Sequence, residues 1–158
     1  MPLLLSRVDD RLIHGQVVIG WGRPLRLQRI ILVDDEVAAS DWEQELYRMA
    51  VPPGIEVDFA SVEAAGRALP DWDRDPRRTA LLTGGIETMA ALHAAAPATL
   101  RRINLGGVHH RPGRTERLPY LYLSDAELDA LHRLAAEGAE VTAQDVPTAA
   151  PVRIAGLT

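Results

Sequence analysis

The 158-residue sequence contains no cysteine and no lysine. The first absence removes disulfides, thiolate zinc sites, cysteine nucleophiles and any phosphocysteine intermediate. The second leaves arginine as the source of all 17 basic residues, so Schiff-base chemistry and the phosphate-gripping lysine of a P-loop are excluded too. Long apolar runs are also missing. The uninterrupted stretches are only a handful of residues, too short for a membrane span or the apolar core of a signal peptide, and the expected location is the cytoplasm. Positive charge is outweighed as well: 22 acidic residues give a net charge of -5 and a pI near 5.5, which argues against a nucleic-acid partner, since binding a phosphate backbone needs a concentrated basic surface.

What remains has the proportions of a folded globular protein, with 47% hydrophobic and 25% charged residues. The length is that of one domain, residues 1–158, able to bury a core without staples. Short β-branched or apolar runs at residues 3–8, 29–33, 55–60, 79–83, 102–105, 120–123 and 141–146 read as strands. Helix-compatible segments at residues 14–25, 38–51, 62–69 and 86–96 alternate with them, as does a helix opened by Ser124, with Glu127 at the capping-box position and Gly138 at its end. Residues 70–78 read as a surface loop, and the tail from Pro147 as loosely held. Alternating strands and helices imply an α/β fold, a three-layer α/β/α sandwich about a mainly parallel central sheet with right-handed crossovers.

Open sheets of this class bind ligands where loops and helix N-termini meet at the carboxyl ends of strands. The first such loop is the most chemically loaded stretch of the chain. Residues 7–17, RVDDRLIHGQV, bring two carboxylates, two guanidiniums and one imidazole together. Amides at a helix start receive an anion, and Gly15 has no side chain to obstruct it. His14 stands beside that position, and a neutral imidazole is a competent nucleophile toward a phosphoryl group. Arg11 and the helix amides can neutralise the equatorial oxygens. Asp9 or Asp10 can fix the imidazole tautomer or hold Arg11, and the spacing does not choose between them.

The run RVDDRLIHGQVVIGW (residues 7–21) closely resembles the phosphorylation-site segment of IIB components in the mannose/fructose/sorbose family of the sugar phosphotransferase system. The likeness continues in order through IILVDDEVA (30–38), VPPG (51–54) and NLGGVHHRPGRT (104–115). The resemblance implies a phosphocarrier, a protein-phosphohistidine-sugar phosphotransferase. In it His14 takes a phosphoryl group from a phosphorylated IIA domain and passes it to a sugar brought by membrane IIC and IID components. It implies that Arg11 contacts the phosphate, that Asp9 is its partner carboxylate, and that the His14 loop adjoins a second loop carrying Asn104, Gly106 and Gly107. Asp10 and Asn104 are supporting residues. No cofactor is called for, and the chain is expected to associate peripherally with a membrane transporter. A regulatory phosphoprotein using the same histidine, and a non-catalytic anion-binding domain, are the rival readings. A homo-oligomer stays open.

Other features carry less. The spacing GQVVIG (15–20) is that of a P-loop, yet Trp21 and Gly22 stand where Lys and Ser/Thr belong. His109 and His110 read as an exposed loop pair rather than a metal site, because neighbouring side chains diverge and only Glu116 stands near. His93 and His132 read as structural, and Trp21 and Trp42 as packed against the sheet.

Overall fold

The computed structural model describes residues 3–158. Its centre is a seven-stranded sheet in the order β3-β2-β4-β1-β5-β8-β9. The strands are β1 (Leu3–Val8), β2 (Arg29–Val33), β3 (Glu56–Ala60), β4 (Thr79–Thr83), β5 (Arg102–Leu105), β8 (Glu140–Ala143) and β9 (Val152–Arg153). All pairings are parallel except β8 with β9. A small antiparallel ribbon, β6 (Thr115–Leu118) and β7 (Leu121–Leu123), sits apart.

Because β2 and β4 are buried on both faces, their interiors, residues 30–33 and 80–82, read as unbroken apolar runs rather than alternating ones. Successive side chains of β2 part to opposite sides: Ile31 and Val33 enter one core, Ile30 and Leu32 the other. The first core is closed by α4 (Val62–Arg74), α5 (Ile86–Ala95) and α6 (Asp125–Ala136). The second is closed by a π-helical turn, Gln16–Trp21, running into α1 (Gly22–Leu25), with α2 (Asp35–Ala38) and α3 (Asp41–Met49). This is the three-layer α/β/α sandwich. No helix among the described residues is long and apolar enough to cross a membrane.

Four expectations differ from what is seen. Residues 70–74 continue α4 through Pro70 instead of forming a loop. Trp72 packs against the core from that extra turn, and tertiary packing there outweighs the helix-breaking tendency of proline. The helix expected over residues 38–51 is instead α3 from Asp41 with Ser40 as its N-cap, preceded by a separate short α2 that Asp34 caps and that ends at Ala38. Trp42 is exposed on α3, whereas Trp21 is buried. The tail from Pro147 is held: β9 pairs with β8, and Ile154 and Leu157 enter the core. Ile154→Ala should therefore cost about 2–4 kcal/mol, read as a lowered urea midpoint with unchanged slope; a tail that contributes nothing would leave the midpoint in place.

Candidate active site

Strand β1 lies between β4 and β5, so the loop that follows it opens between the loops that follow those two strands. The backbone stitches all three together. The Asp9 amide donates to the Thr83 carbonyl and the Asp10 amide to the Gly107 carbonyl, each at 2.9 Å. Leu12 then takes a left-handed conformation (φ 60°), with its amide on the Asp9 carbonyl at 3.0 Å. Such a conformation is costly for a branched side chain and persists only when its surroundings over-determine it. Gly84 supplies the room, since a Cβ there would come within 3.1 Å of the Leu12 side chain. The turn delivers His14 to the head of the π-helical segment, where its carbonyl accepts from both Val17 and Val18. The amides of Gly15 and Gln16 have no hydrogen-bond partner among the described residues, as helix starts leave them.

The His14 side chain is 18% exposed, and its Nε2 lies 3.2 Å from Asp9 Oδ2. The contact is close but not aligned as a hydrogen bond, and both atoms are shut off from solvent. Asp9 itself is fully buried. Its Oδ1 accepts from the Arg11 amide at 3.2 Å, and its Oδ2 lies 3.5 Å from the guanidinium of Arg7.

Arg7 is the residue that sequence reading passed over. It occupies a position of β1 that faces the second core, and it is completely buried. Its guanidinium donates to Asn104 Oδ1, to the Gln144 carbonyl at 2.7 Å and to the Asp145 carbonyl at 3.0 Å, and it lies over the Trp21 ring at 4.9 Å. Burial pulls the group below its ordinary pKa while Asp9 and Asp145 pull the other way; an arginine nonetheless stays charged. A line of support thus runs from Asn104 through Arg7 and Asp9 to His14.

Two glycines that the sequence pairs as anion ligands separate here. The Gly106 amide is spent on the Val8 carbonyl at 2.7 Å, and a Cβ at this position would come within 2.3 Å of the Arg7 guanidinium. Gly106 therefore makes room for Arg7 and has no free amide for an anion, which corrects its expected role. Gly107 does face the site: a Cβ there would lie 3.7 Å from Asp9 Oδ1 and 3.8 Å from Arg11 Nη2. Asn104, likewise, is engaged by Arg7 beneath the site. Arg11 is half exposed, with Nη2 on Gln16 Oε1 at 2.8 Å, and Gln16 is anchored in turn by Asp145 at 3.0 Å. Asp10 serves neither His14 nor Arg11. It accepts from the His109 amide at 2.7 Å and meets that ring's Nδ1 at 2.6 Å.

Comparison with known proteins decides the family. The model of the phosphotransferase system sorbose-subfamily IIB component matches residues 3–157. The chain belongs to that family. This IIB chain is 31% identical over 136 residues to the sorbose-specific EIIB component of Klebsiella pneumoniae, covering 85% of this chain and 81% of that one. The crystal structure of the IIBSor domain of the sorbose permease from Klebsiella pneumoniae superposes with a TM-score of 0.86 at 28% identity, covering 98% and 94% of the two chains. The N-acetylgalactosamine-specific IIB component 1 of Escherichia coli does so with a TM-score of 0.87 at 27% identity, over 95% and 97%. The mannose-specific EIIAB component of Escherichia coli K12 is 31% identical over 149 residues, but the IIB chain spans only 46% of its length.

Within this IIB component the residues missed from sequence are Arg7, Gly84, Gln16, Asp145 and His109. A charged residue on the inward face of a buried strand was a signal for Arg7. Asp145 gave none, because its partner Gln16 is 129 residues away.

Proposed function

We propose that this chain is a phosphocarrier whose His14 Nδ1 accepts a phosphoryl group from a phosphorylated IIA domain and yields it to a sugar hydroxyl. The observation that carries the reading is the asymmetry of the His14 ring. Nε2 is buried against the Asp9 carboxylate, which favours the tautomer with its proton there and leaves the lone pair on Nδ1, on the solvent side. That lone pair attacks phosphorus as the donor's N–P bond breaks and the donor nitrogen leaves with its electron pair. In the second step a sugar oxygen attacks, the His14 N–P bond breaks, and the hydroxyl proton is released. The Nε2 proton stays beside Asp9 throughout.

The surroundings support such a role. Free amides at Gly15 and Gln16 and the nearby Arg11 fork are donors suited to phosphoryl oxygens. Exposed apolar side chains border the same loop: Trp42 and Leu46 line a hollow with Ile13, and Ile19, Met49 and Pro52 line a groove with Gly15; this is the kind of surface on which a protein partner docks. One relative's name, EIIAB, joins an A and a B component, in keeping with a IIA donor. Transport then requires membrane IIC and IID partners, with this chain peripheral to them in the cytoplasm.

The direct test is incubation with a phosphorylated IIA domain. One phosphoryl group should be taken up, acid-labile, alkali-stable and indifferent to thiol alkylation; a chain that takes no label from several such donors is a binding module instead. Arg11→Lys should slow uptake although it keeps the charge, because a planar fork holds two oxygens where an ammonium is a point. Losing that contact costs on the order of 2–3 kcal/mol, or ~30- to 150-fold in rate. Rapid-quench kinetics at the wild-type rate would remove Arg11 from the step.

A further inference from the structure

An imidazole on a solvated loop ordinarily samples several rotamers, and nothing in a IIB chain obliges one to stand still. His109 is 59% exposed, yet it is held on three sides. Its amide donates to Asp10 Oδ2 at 2.7 Å and its ring Nδ1 lies 2.6 Å from Asp10 Oδ1. Its carbonyl accepts from Arg114 Nη1 at 3.0 Å, and Arg114 forms a two-pronged pair with Glu127, 2.9 Å in each arm. Glu127 is itself the capping-box residue of α6. Burial opposes its charged form, but hydrogen bonds from Arg114 and Ser124 outweigh that and hold the carboxyl below its ordinary pKa. The clamp on His109 is thus built into both the β1 loop and the start of a helix.

The ring is held toward the site. A Cβ on Gly107 would lie 3.7 Å from His109 Cε1, 3.7 Å from Asp9 Oδ1 and 3.8 Å from Arg11 Nη2. One point beside the free face of Gly107 is therefore within 4 Å of the imidazole, the carboxylate behind His14 and the arginine fork. Asp10 occupies Nδ1, so Nε2 is the nitrogen His109 has to offer.

We propose that His109, oriented by Asp10, is a second ligand of the phosphoryl group carried on His14. The inference rests on the phosphocarrier reading. When the phosphoryl dianion arrives, His109 takes one proton from solvent on Nε2 and becomes an imidazolium bridging two anions: Nδ1–H on Asp10 and Nε2–H on a phosphoryl oxygen. No bond between His109 and phosphorus forms or breaks. The charged groups that face it are Asp10 and, across Gly107, Asp9 and Arg11, with Arg114 on its carbonyl.

Two amides separate this role from a merely structural one, because the asparagine amide can mimic Nδ1 and the glutamine amide Nε2. His109→Asn keeps a donor for Asp10 but has nothing at Nε2, and should slow uptake from phosphorylated IIA by about tenfold with the label still on His14. His109→Gln, which presents a donor at the Nε2 position, should recover to within about threefold of wild type. A His109→Asn rate equal to wild type, or label found on His109 itself, overturns the proposal while leaving His14 as a carrier in the first case. A wild-type chain that takes no label at His14 removes the phosphocarrier reading and this inference with it.

Discussion

His14→Gln is expected to lose phosphoryl uptake altogether, by ~10³-fold or more against wild type. A glutamine keeps polar atoms near Asp9 but offers no nucleophilic nitrogen, and without one the phosphoryl group has no covalent acceptor. The chain has no cysteine to stand in. The other histidines are poorly placed: His93 is buried in α5, with its Nδ1 3.5 Å from Glu137, His132 lies on α6, which closes the opposite core from the helical segment after His14, and His110 packs edge-on against Tyr122 at 5.8 Å. His93→Ala, His110→Ala and His132→Ala should therefore still label, the first at some cost in stability. Label surviving in His14→Gln at more than a trace would place the chemistry elsewhere.

The largest effect on folding is expected at Arg7. Arg7→Met fills a similar volume but leaves the fully buried Asp9 carboxylate without its cation and strands three acceptors that the guanidinium had engaged, Asn104 Oδ1 and the carbonyls of Gln144 and Asp145. Breaking a buried ion pair from one side costs about 3–5 kcal/mol, because the desolvated partner charge is no longer compensated. Chemical denaturation of Arg7→Met should show a loss of this size. Adding Asp9→Asn to Arg7→Met should return part of the loss, since the unpaired charge is then gone, while phosphoryl uptake stays impaired because His14 has lost the carboxylate that sets its tautomer. A double variant no more stable than Arg7→Met would mean that Arg7 acts through packing on Trp21 rather than through Asp9.

Much of the architecture was legible because both faces of the sheet are covered. Residues 30–33 and 79–83 must then be continuous β-branched or apolar runs, and they announce themselves as such. The capping box of Ser124 and Glu127 was equally plain, and the structure has both of its hydrogen bonds. What could not be read depends on distant partners. β9 is two residues long and exists only because β8 offers an edge. Residues 115–118 are too polar to look like a strand until Leu121–Leu123 pairs with them. Pro70 stops a helix on local grounds, and only the anchorage of Trp72 in the core keeps α4 going.

The site divides in the same way. His14, Asp9, Arg11 and Gly15 share one loop, and their proximity follows from chain connectivity. Gly107 lies against that loop, with its carbonyl on the Asp10 amide, whereas the want of a side chain at Gly106 accommodates Arg7. Between Asp9 and Asp10 the sequence left the choice open, and the geometry divides the labour, with Asp9 behind His14 and Asp10 on His109. Nothing local could have revealed this, since Asp10 and His109 are 99 residues apart.

In the proposed function one nitrogen of one histidine carries the phosphoryl group. Two-dimensional NMR of the wild-type chain, labelled with nitrogen-15 in its histidine rings and phosphorylated by a IIA donor, tests it most directly through nitrogen–phosphorus coupling. A single coupled nitrogen is expected, His14 Nδ1, with the Nε2 proton retained beside Asp9. Coupling to His14 Nε2, or to any nitrogen of His93, His109, His110 or His132, would contradict it.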